Sequence, residues 1–266
     1  MRRLVLIVCA AAVAAPAWAA ELRLITAELP PYTFQIPPAT VSELPGPGQG
    51  LVQEVVAEMA RRVGHSGTIE YMPWARAQQI AMTEPNVGIL SLTRSPERED
   101  KYRWLVKAVT DDLVLVGGPG VDVSSLDKVK DRPTGVLLRS GAEALLREKG
   151  FTRVEPAPEE WLNAKKLKER RIDAWLAPRL MVIYAMQEVQ GDLATINIGE
   201  IVRASDIYLA ASKSLPDAEA GKWESAFAAM KADGSYDRII KKYRRLNAAP
   251  IPDEARRLPS DPVWDY

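Results

Sequence analysis

The segment of residues 87–104 combines hydroxyl groups with arginine in a way that can bind an anion. Ser95 is followed by proline, a pair typical of a helix N-cap, and the free N–H groups and positive dipole of such a helix end attract anions. Arg98 then lies one turn into the helix, and its planar guanidinium can hold a carboxylate with two hydrogen bonds. Ser91 and Thr93 add hydroxyl groups. The alternative interpretation is that the segment only starts a helix and that its arginines are solvated.

Further side chains are candidates for the walls of this site. Trp74 and Arg76 directly follow an apolar segment, where residues of a cleft are often found. A core tryptophan beside an exposed arginine is the alternative explanation for that pair. Arg94 and Arg179 either add positive charge to the cleft or are solvated.

Cysteine and histidine occur only once each in this chain. Cys9 lies close to the N-terminus, and His65 lies in a Gly-His-Ser-Gly stretch where we expect a surface residue. A thiol nucleophile, a Ser-His-Asp triad and a histidine-rich zinc site are therefore poorly supported. We expect the protein to use no metal and no cofactor.

Residues 1–19 have the pattern of a secretory signal peptide: two arginines, an apolar run and a final Ala-Trp-Ala. The apolar run is too short to span a bilayer permanently. We expect export to the periplasm and a mature chain without cysteine or disulfide. The whole chain has 35 basic and 35 acidic residues, so removal of the two arginines leaves a slight acidic excess. That balance argues against nucleic-acid binding.

The spacing of apolar residues predicts alternating strands and helices. Predicted strands cover residues 22–26, 68–72, 87–92, 113–116, 172–176 and 207–211, and a further one starts at 135. Predicted helices include residues 51–63, 75–82, 161–168 and 238–245. This alternation is typical of a parallel sheet with short right-handed crossovers. Ligands of such sheets bind at the carboxyl ends of the strands, where Ser91 and Thr93 would lie.

Five motifs occur in an order that characterises one protein family. They are Pro-Pro-Tyr-Thr-Phe at 30–34, the helix opened by Gly50, Ser-Leu-Thr-Arg-Ser-Pro-Glu-Arg at 91–98, Arg-Ile-Asp-Ala at 171–174, and Lys-Ala-Asp-Gly-Ser-Tyr at 231–236. In these motifs the chain resembles the bacterial extracellular solute-binding proteins of family 3, periplasmic receptors that feed polar amino-acid ABC importers. The resemblance implies an α/β protein with the two-lobe periplasmic-binding-protein-like II fold and a ligand cleft between the lobes.

The same resemblance implies a division of the chain. Lobe 1 would comprise residues 20–110 and 206–246, and lobe 2 residues 111–205. The signal peptide, residues 1–19, would precede them, and a C-terminal tail, residues 247–266, would follow. Residues 109–113 and 203–208 would form the two passages between the lobes, about which the lobes would close on the ligand.

Site residues are also implied by the resemblance. Arg98 matches the arginine that holds the ligand carboxylate. Ser140 and Gly141 match a turn that adds hydroxyl and N–H contacts. Leu29 occupies the position of the usual stacking aromatic residue, which leaves Tyr32 as the nearest aromatic candidate.

One departure from the family pattern concerns the ligand. The family's acidic residue for the ligand ammonium falls on Pro178, whose side chain accepts no hydrogen bond. A buried ammonium without an acceptor is unfavourable. We therefore expect a solute with a carboxylate or other anionic group that is not held as a standard zwitterionic α-amino acid, unless Glu28 or Asp206 supplies the acceptor.

The leading functional prediction is a monomeric solute receptor that delivers a small molecule to an ABC permease in the inner membrane. A periplasmic enzyme on the same fold, resembling cyclohexadienyl dehydratase, is the alternative, with Glu28 and Asp206 as the carboxylates to test. A sensory domain that presents its ligand to a membrane partner is a third possibility.

Overall fold

The computed structural model describes residues 21–35 and 50–244, and the predicted signal peptide and C-terminal tail lie outside these ranges. Eight strands and seven α-helices alternate along this part of the chain. The strands are β1 (Arg23–Thr26), β2 (Ile69–Tyr71), β3 (Val87–Thr93), β4 (Tyr102–Gly117), β5 (Thr134–Leu137), β6 (Val154–Ala157), β7 (Ala174–Pro178) and β8 (Asn197–Ser212). The helices are α1 (Leu51–Val63), α2 (Trp74–Thr83), α3 (Gly141–Glu148), α4 (Glu160–Lys168), α5 (Arg179–Glu188), α6 (Asp217–Ala232) and α7 (Ser235–Arg244).

The strands form a mixed sheet with the order β2-β1-β3-β8-β4-β7-β5-β6. Pairing is parallel at both flanks, where β1 joins β2 and β3, and β5 joins β6 and β7. It is antiparallel in the centre, where β8 pairs with β3 and β4, and β4 pairs with β7. The prediction of a parallel sheet is therefore confirmed for the flanks and wrong for the centre.

The central strands β4 and β8 are far longer than the sequence pattern predicted. Each has 16 residues, and they pair from Tyr102 opposite Ser212 to Gly117 opposite Asn197. At roughly 3.3 Å per residue, each strand extends for about 50 Å. Both strands therefore run through two halves of the molecule: the first half contains β1–β3, α1, α2, α6 and α7, and the second half contains β5–β7 and α3–α5.

Buried apolar side chains of the described residues form three clusters. The first draws on residues 22–109 and 207–243, and the other two on residues 113–202. Four residues from the second half, Leu137, Leu180, Met181 and Tyr184, nevertheless pack into the first cluster. The two halves are thus in direct apolar contact, and the cluster boundary along β4 falls between Val109 and Leu113.

His65 corrects an expectation from the sequence. Its side chain is 5% exposed, the ring nitrogen Nε2 lies 2.6 Å from the carbonyl oxygen of Leu22, and Nδ1 accepts from the Gly67 N–H. The ring also packs edge-on against Trp223, with 5.2 Å between ring centroids. The prediction of a surface histidine is wrong because this turn folds back against α6.

In the described part of the chain, we find no helix with the length and apolar character needed to cross a membrane.

Candidate functional site

A cavity lies where strand ends and helix starts from both halves meet, with about 570 Å³ of empty space when the part open to solvent is counted. Six of the predicted site residues line it from the first half, namely Leu29, Tyr32, Trp74, Ser91, Thr93 and Arg98. Ser140 and Gly141 line it from the second half. The structure therefore brings together eight of the ten residues that the sequence singled out.

Arg98 is a buried cation held by neutral groups. Its Nη1 donates to the Thr93 carbonyl oxygen at 3.1 Å, and its Nη2 donates to Gln78 Oε1 at 2.9 Å and to the Arg139 carbonyl oxygen at 3.2 Å. No carboxylate of a described residue forms an ion pair with it, and burial lowers its pKa. Glu97 adds a weaker opposing effect on that pKa. The site thus holds a positive charge that no described carboxylate neutralises by an ion pair.

The helix predicted after Ser95 is only a single 3-10 turn, Pro96–Arg98. The Ser95 hydroxyl donates to Glu97 Oε2 at 2.5 Å and does not cap a backbone N–H. Ser95 is the N-cap residue of this turn, with Pro96 at its first position, as predicted, but its side chain caps no N–H group, and a turn this short has little dipole to offer an anion. Arg98 reaches the cavity through its side chain.

A longer helix whose start lies at the cavity is α3. Ser140 is its N-cap and accepts from the Glu143 N–H at 3.1 Å, so the first turn of the helix is held in place. Arg139, directly before the cap, has a left-handed backbone with a φ of 56°. Its carbonyl oxygen accepts from both Arg98 and Gln78. These bonds tie the α3 turn of the second half to the first half.

A second arginine, Arg203, converges on the same turn. A Cβ atom placed on Gly141 would lie 3.4 Å from Arg203 Nη2 and 3.9 Å from Arg98 Nη1. Two guanidinium groups therefore face the N-terminus of α3. Arg203 makes no hydrogen bond or ion pair with a described residue. Its positive charge adds to the lowering of the Arg98 pKa. This arrangement of cations and helix N–H groups suits a carboxylate.

Two serine hydroxyls in the cavity wall have no hydrogen-bond partner among the described residues. They are the Oγ atoms of Ser91 and Ser205, and both are buried. Ser91 lies where β3 shifts register against β8, with a left-handed φ of 61°. Backbone strain of this kind costs roughly 1–3 kcal/mol and tends to occur at functional sites. Buried hydroxyls without partners are uncommon, and a ligand in the cavity can satisfy them.

Tyr32 is positioned by the start of α1. The N–H groups of Leu51 and Val52 donate to the carbonyl oxygens of Pro31 and Tyr32 at 2.8 and 3.0 Å. A Cβ atom on Gly50 would lie 2.1 Å from the Tyr32 carbonyl oxygen, so only glycine permits this approach.

The Tyr32 hydroxyl donates to the buried carboxylate of Asp111. That carboxylate also accepts from the N–H groups of Leu180 and Asp112. Burial raises the pKa of Asp111 to about 6, an effect that the three donors reduce but do not cancel. Through Asp111, the loop of Tyr32 in the first half is joined to the start of α5 in the second.

The remaining predicted residues lie outside the cavity. Glu28 is exposed and lines a neighbouring cavity at the cleft mouth, and Arg76 is exposed on α2. Asp206 accepts from the Thr110 hydroxyl at 2.6 Å and lies 3.7 Å from Lys107 Nζ. Neither Glu28 nor Asp206 lines the cavity beside Arg98.

The two arginines with open assignments also lie elsewhere. Arg94 forms an ion pair with Glu99 and packs over the rings of Trp104 and Tyr208 at the surface. Arg179 is buried and lowers the pKa of Asp112, against the larger effect of burial. Neither arginine lines the cavity.

Three polar residues of the cavity were missed at the sequence level. Arg203 and Ser205 lie two residues apart on β8 and share a face with Ile207, a period-two pattern visible in the sequence. Glu160 begins α4, where an acidic residue is common for helix stability alone. Pro178, the position at which the family acid is missing, does line the cavity.

Within the described ranges, no cluster of His, Cys, Asp and Glu is arranged to hold a metal ion.

Known structures share this fold. No protein-family model and no curated protein sequence matches the chain. A histidine kinase sensor domain with similarity to periplasmic binding proteins matches with a TM-score of 0.71 and 15% identity, covering 84% of this chain and 96% of that one. An ancestral arginine-binding protein bound to glutamine matches with a TM-score of 0.70 and 21% identity, over 85% and 98%.

A substrate-binding protein of an ABC uptake transporter from Streptococcus pneumoniae, with bound histidine, also matches. Its TM-score is 0.71 and its identity 15%, over 83% of this chain and 91% of that one. These likenesses confirm the predicted fold, that of the periplasmic amino-acid-binding proteins, over most of the chain.

Proposed function

We propose that this protein is a periplasmic solute receptor that binds a small carboxylate-bearing molecule in the cavity between its halves. The observation that carries the proposal is the pair of guanidinium groups, Arg98 and Arg203, that face the start of α3 near Gly141. Neither forms an ion pair with a described carboxylate, and the hydroxyls of Ser91 and Ser205 in the wall of the same cavity have no hydrogen-bond partner among the described residues. A carboxylate would satisfy all of these groups together.

Closure of the two halves on the solute is part of this proposal. Gln78 and Arg98 on one side bind the Arg139 carbonyl oxygen on the other, directly beside the cavity. We propose that lobe 1 (residues 20–110 and 206–246) and lobe 2 (residues 111–205) move about the two passages in β4 and β8. The solved relatives that bind glutamine and histidine support the choice of amino acids as the first compounds to test.

A thermal-shift screen against amino acids, other small carboxylates and inorganic anions tests the function. A ligand that binds only the native state raises the unfolding midpoint by an amount that grows with the logarithm of its concentration relative to its Kd. We expect at least one carboxylate compound to raise the midpoint of the wild type. The same compound should raise the midpoint less in Gly141→Ala, because a methyl group there occupies space in ordinary contact with both guanidinium groups. An unchanged midpoint with every compound would contradict the proposal.

Delivery to an ABC permease is the finer part of the proposal, and a sensory role is the second candidate. The sensor is favoured by the histidine kinase domain that shares the fold. Deleting the gene abolishes uptake of the labelled solute if the protein serves an importer, and leaves uptake intact if it serves a sensor. Glu28 and Asp206, the two carboxylates named for the enzyme alternative, do not line the cavity.

A further inference from the structure

The cavity contains an acid that the sequence pattern did not identify. Glu160, the first residue of α4, is 7% exposed and lines the cavity. Its Oε2 accepts from Asn163 Nδ2 and from Trp175 Nε1, both at 2.8 Å. Its Oε1 accepts from no described residue. Half of this carboxyl group is therefore fixed in place, and the other half remains available.

The acid and the arginines do not neutralise one another. No ion pair joins Glu160 to Arg98 or to Arg203. The negative charge of Glu160 acts instead on Tyr32, whose pKa is raised well above its usual range, first by burial and then by Asp111, Asp112 and Glu160. The cavity thus has one cationic region, at the start of α3, and a separate acidic region beside Tyr32. A molecule that carries both charges satisfies both regions.

We propose that Glu160 accepts a hydrogen bond from an ammonium group of the ligand whose carboxylate lies between Arg98 and Arg203. This inference rests on the proposed solute-binding function and adds a specificity-determining residue to it. The acid comes from α4, not from the end of β7, where Pro178 leaves the expected position without an acceptor. Pro178 then does not exclude a zwitterionic ligand, because a different element supplies the acceptor for the ammonium.

Burial agrees with this role. It raises the pKa of Glu160 to about 7, against the opposing effects of Asn163 and Trp175. A carboxyl group in this state is stabilised as a carboxylate when a cation arrives. An ammonium group of the ligand therefore binds Glu160 more strongly than a hydroxyl group in the same position would.

Matched ligand pairs distinguish recognition by Glu160 from a purely structural role. The pairs are L-alanine with L-lactate, L-leucine with L-2-hydroxyisocaproate, and L-glutamate with L-2-hydroxyglutarate. Each pair keeps the carboxylate and the side chain and exchanges the ammonium for a hydroxyl. Calorimetry with the wild type is expected to show at least one amino acid binding about 30-fold or more tightly than its hydroxy acid, as for a buried charge pair.

The variant is Glu160→Gln, which keeps the size of the side chain and an oxygen that can accept from Asn163 and Trp175. We expect the amino acid to bind it about 30-fold or more weakly and the hydroxy acid to change by less than about threefold. Glu159→Gln is the control, since that exposed neighbour lines only the cavity at the cleft mouth. It should leave both affinities unchanged. Equal loss for both ligands in Glu160→Gln would show a structural role and overturn the inference.

Proton release from the wild type provides a measurement that does not depend on the variant folding. Near pH 7, an ammonium that binds Glu160 should release a fraction of a proton, detected by calorimetry in two buffers of different ionisation enthalpy. The hydroxy acid controls for protons released by Asp111, Asp112 or Tyr32 on closure and should release fewer. Equal release would contradict the inference. Binding of hydroxy acids without any amino acid would refute the role of Glu160 and leave the proposed function standing, whereas no binding of any carboxylate would refute both.

Discussion

Replacing Arg98 with alanine removes the guanidinium around which the proposed anion site is built. Three of its five N–H groups donate to Thr93, Gln78 and Arg139, which leaves two for a ligand. Hydrogen bonds that involve a charged group contribute roughly 1.5–3 kcal/mol each. Truncating one partner of a buried charge pair costs about 2–5 kcal/mol. We therefore expect a carboxylate ligand to bind Arg98→Ala roughly 30- to 5000-fold more weakly.

The assay is titration calorimetry with the compound that gives the largest thermal shift. Arg76→Ala is the matched control, because that arginine is exposed and lies outside the cavity. Its affinity should equal that of the wild type. Arg98→Lys should have an intermediate affinity, since an ammonium keeps the charge but lacks the planar fork. Wild-type affinity in Arg98→Ala would refute the assignment of the carboxylate to this residue.

Four further predictions concern the cavity wall and its movement. Ser91→Gly should keep or raise the thermal midpoint, because glycine adopts a φ of 61° without strain, yet weaken the ligand by about 2- to 10-fold through loss of one hydroxyl; a lowered midpoint would contradict this. Tyr32→Phe removes a donor from buried Asp111 and should lower the free energy of unfolding by about 1–3 kcal/mol in urea titrations, whereas an unchanged value would show that the bond contributes nothing. Because the pKa of Glu160 is raised to about 7 from an ordinary value of 4.5, the folded state binds its proton more tightly and stability is lost as pH rises from about 4.5 to 7. The stability of Glu160→Gln relative to the wild type should therefore improve by about 2–3 kcal/mol between pH 5 and pH 8, and a constant difference would count against the shift. Finally, saturating ligand should reduce the radius of gyration in X-ray scattering, and identical curves would exclude closure of the halves.

The spacing of apolar residues predicted the helices and strands that depend mainly on residues close together in the sequence. The apolar spacing in α1 marks one buried face, and the structure confirms that helix with bounds of Leu51–Val63. The flanking parallel strands follow from the strand and helix alternation. The antiparallel centre does not, because β4 and β8 pair residues about a hundred positions apart and no local pattern records that pairing.

The residues of the candidate site also fall into two groups, those that the local sequence predicts and those that only the packing of the fold brings in. Ser91, Thr93 and Arg98 lie close together in the sequence, and hydroxyl groups beside a cation at a strand end indicate anion chemistry before any fold is known. Arg203 and Glu160 come from β8 and α4, and only the packing of the two halves brings them into the cavity. Ser95 shows a limit of such signals: it is the N-cap residue before Pro96, as predicted, but its hydroxyl donates to Glu97 and the helix ends after one turn.

A crystal structure of the protein with its best-binding carboxylate compound would show directly where the anion binds. We expect density for the ligand in the cavity between the halves, with the carboxylate about 2.7–3.2 Å from nitrogen atoms of Arg98 and Arg203. A ligand bound elsewhere, or one whose carboxylate points away from both arginines, would contradict this expectation.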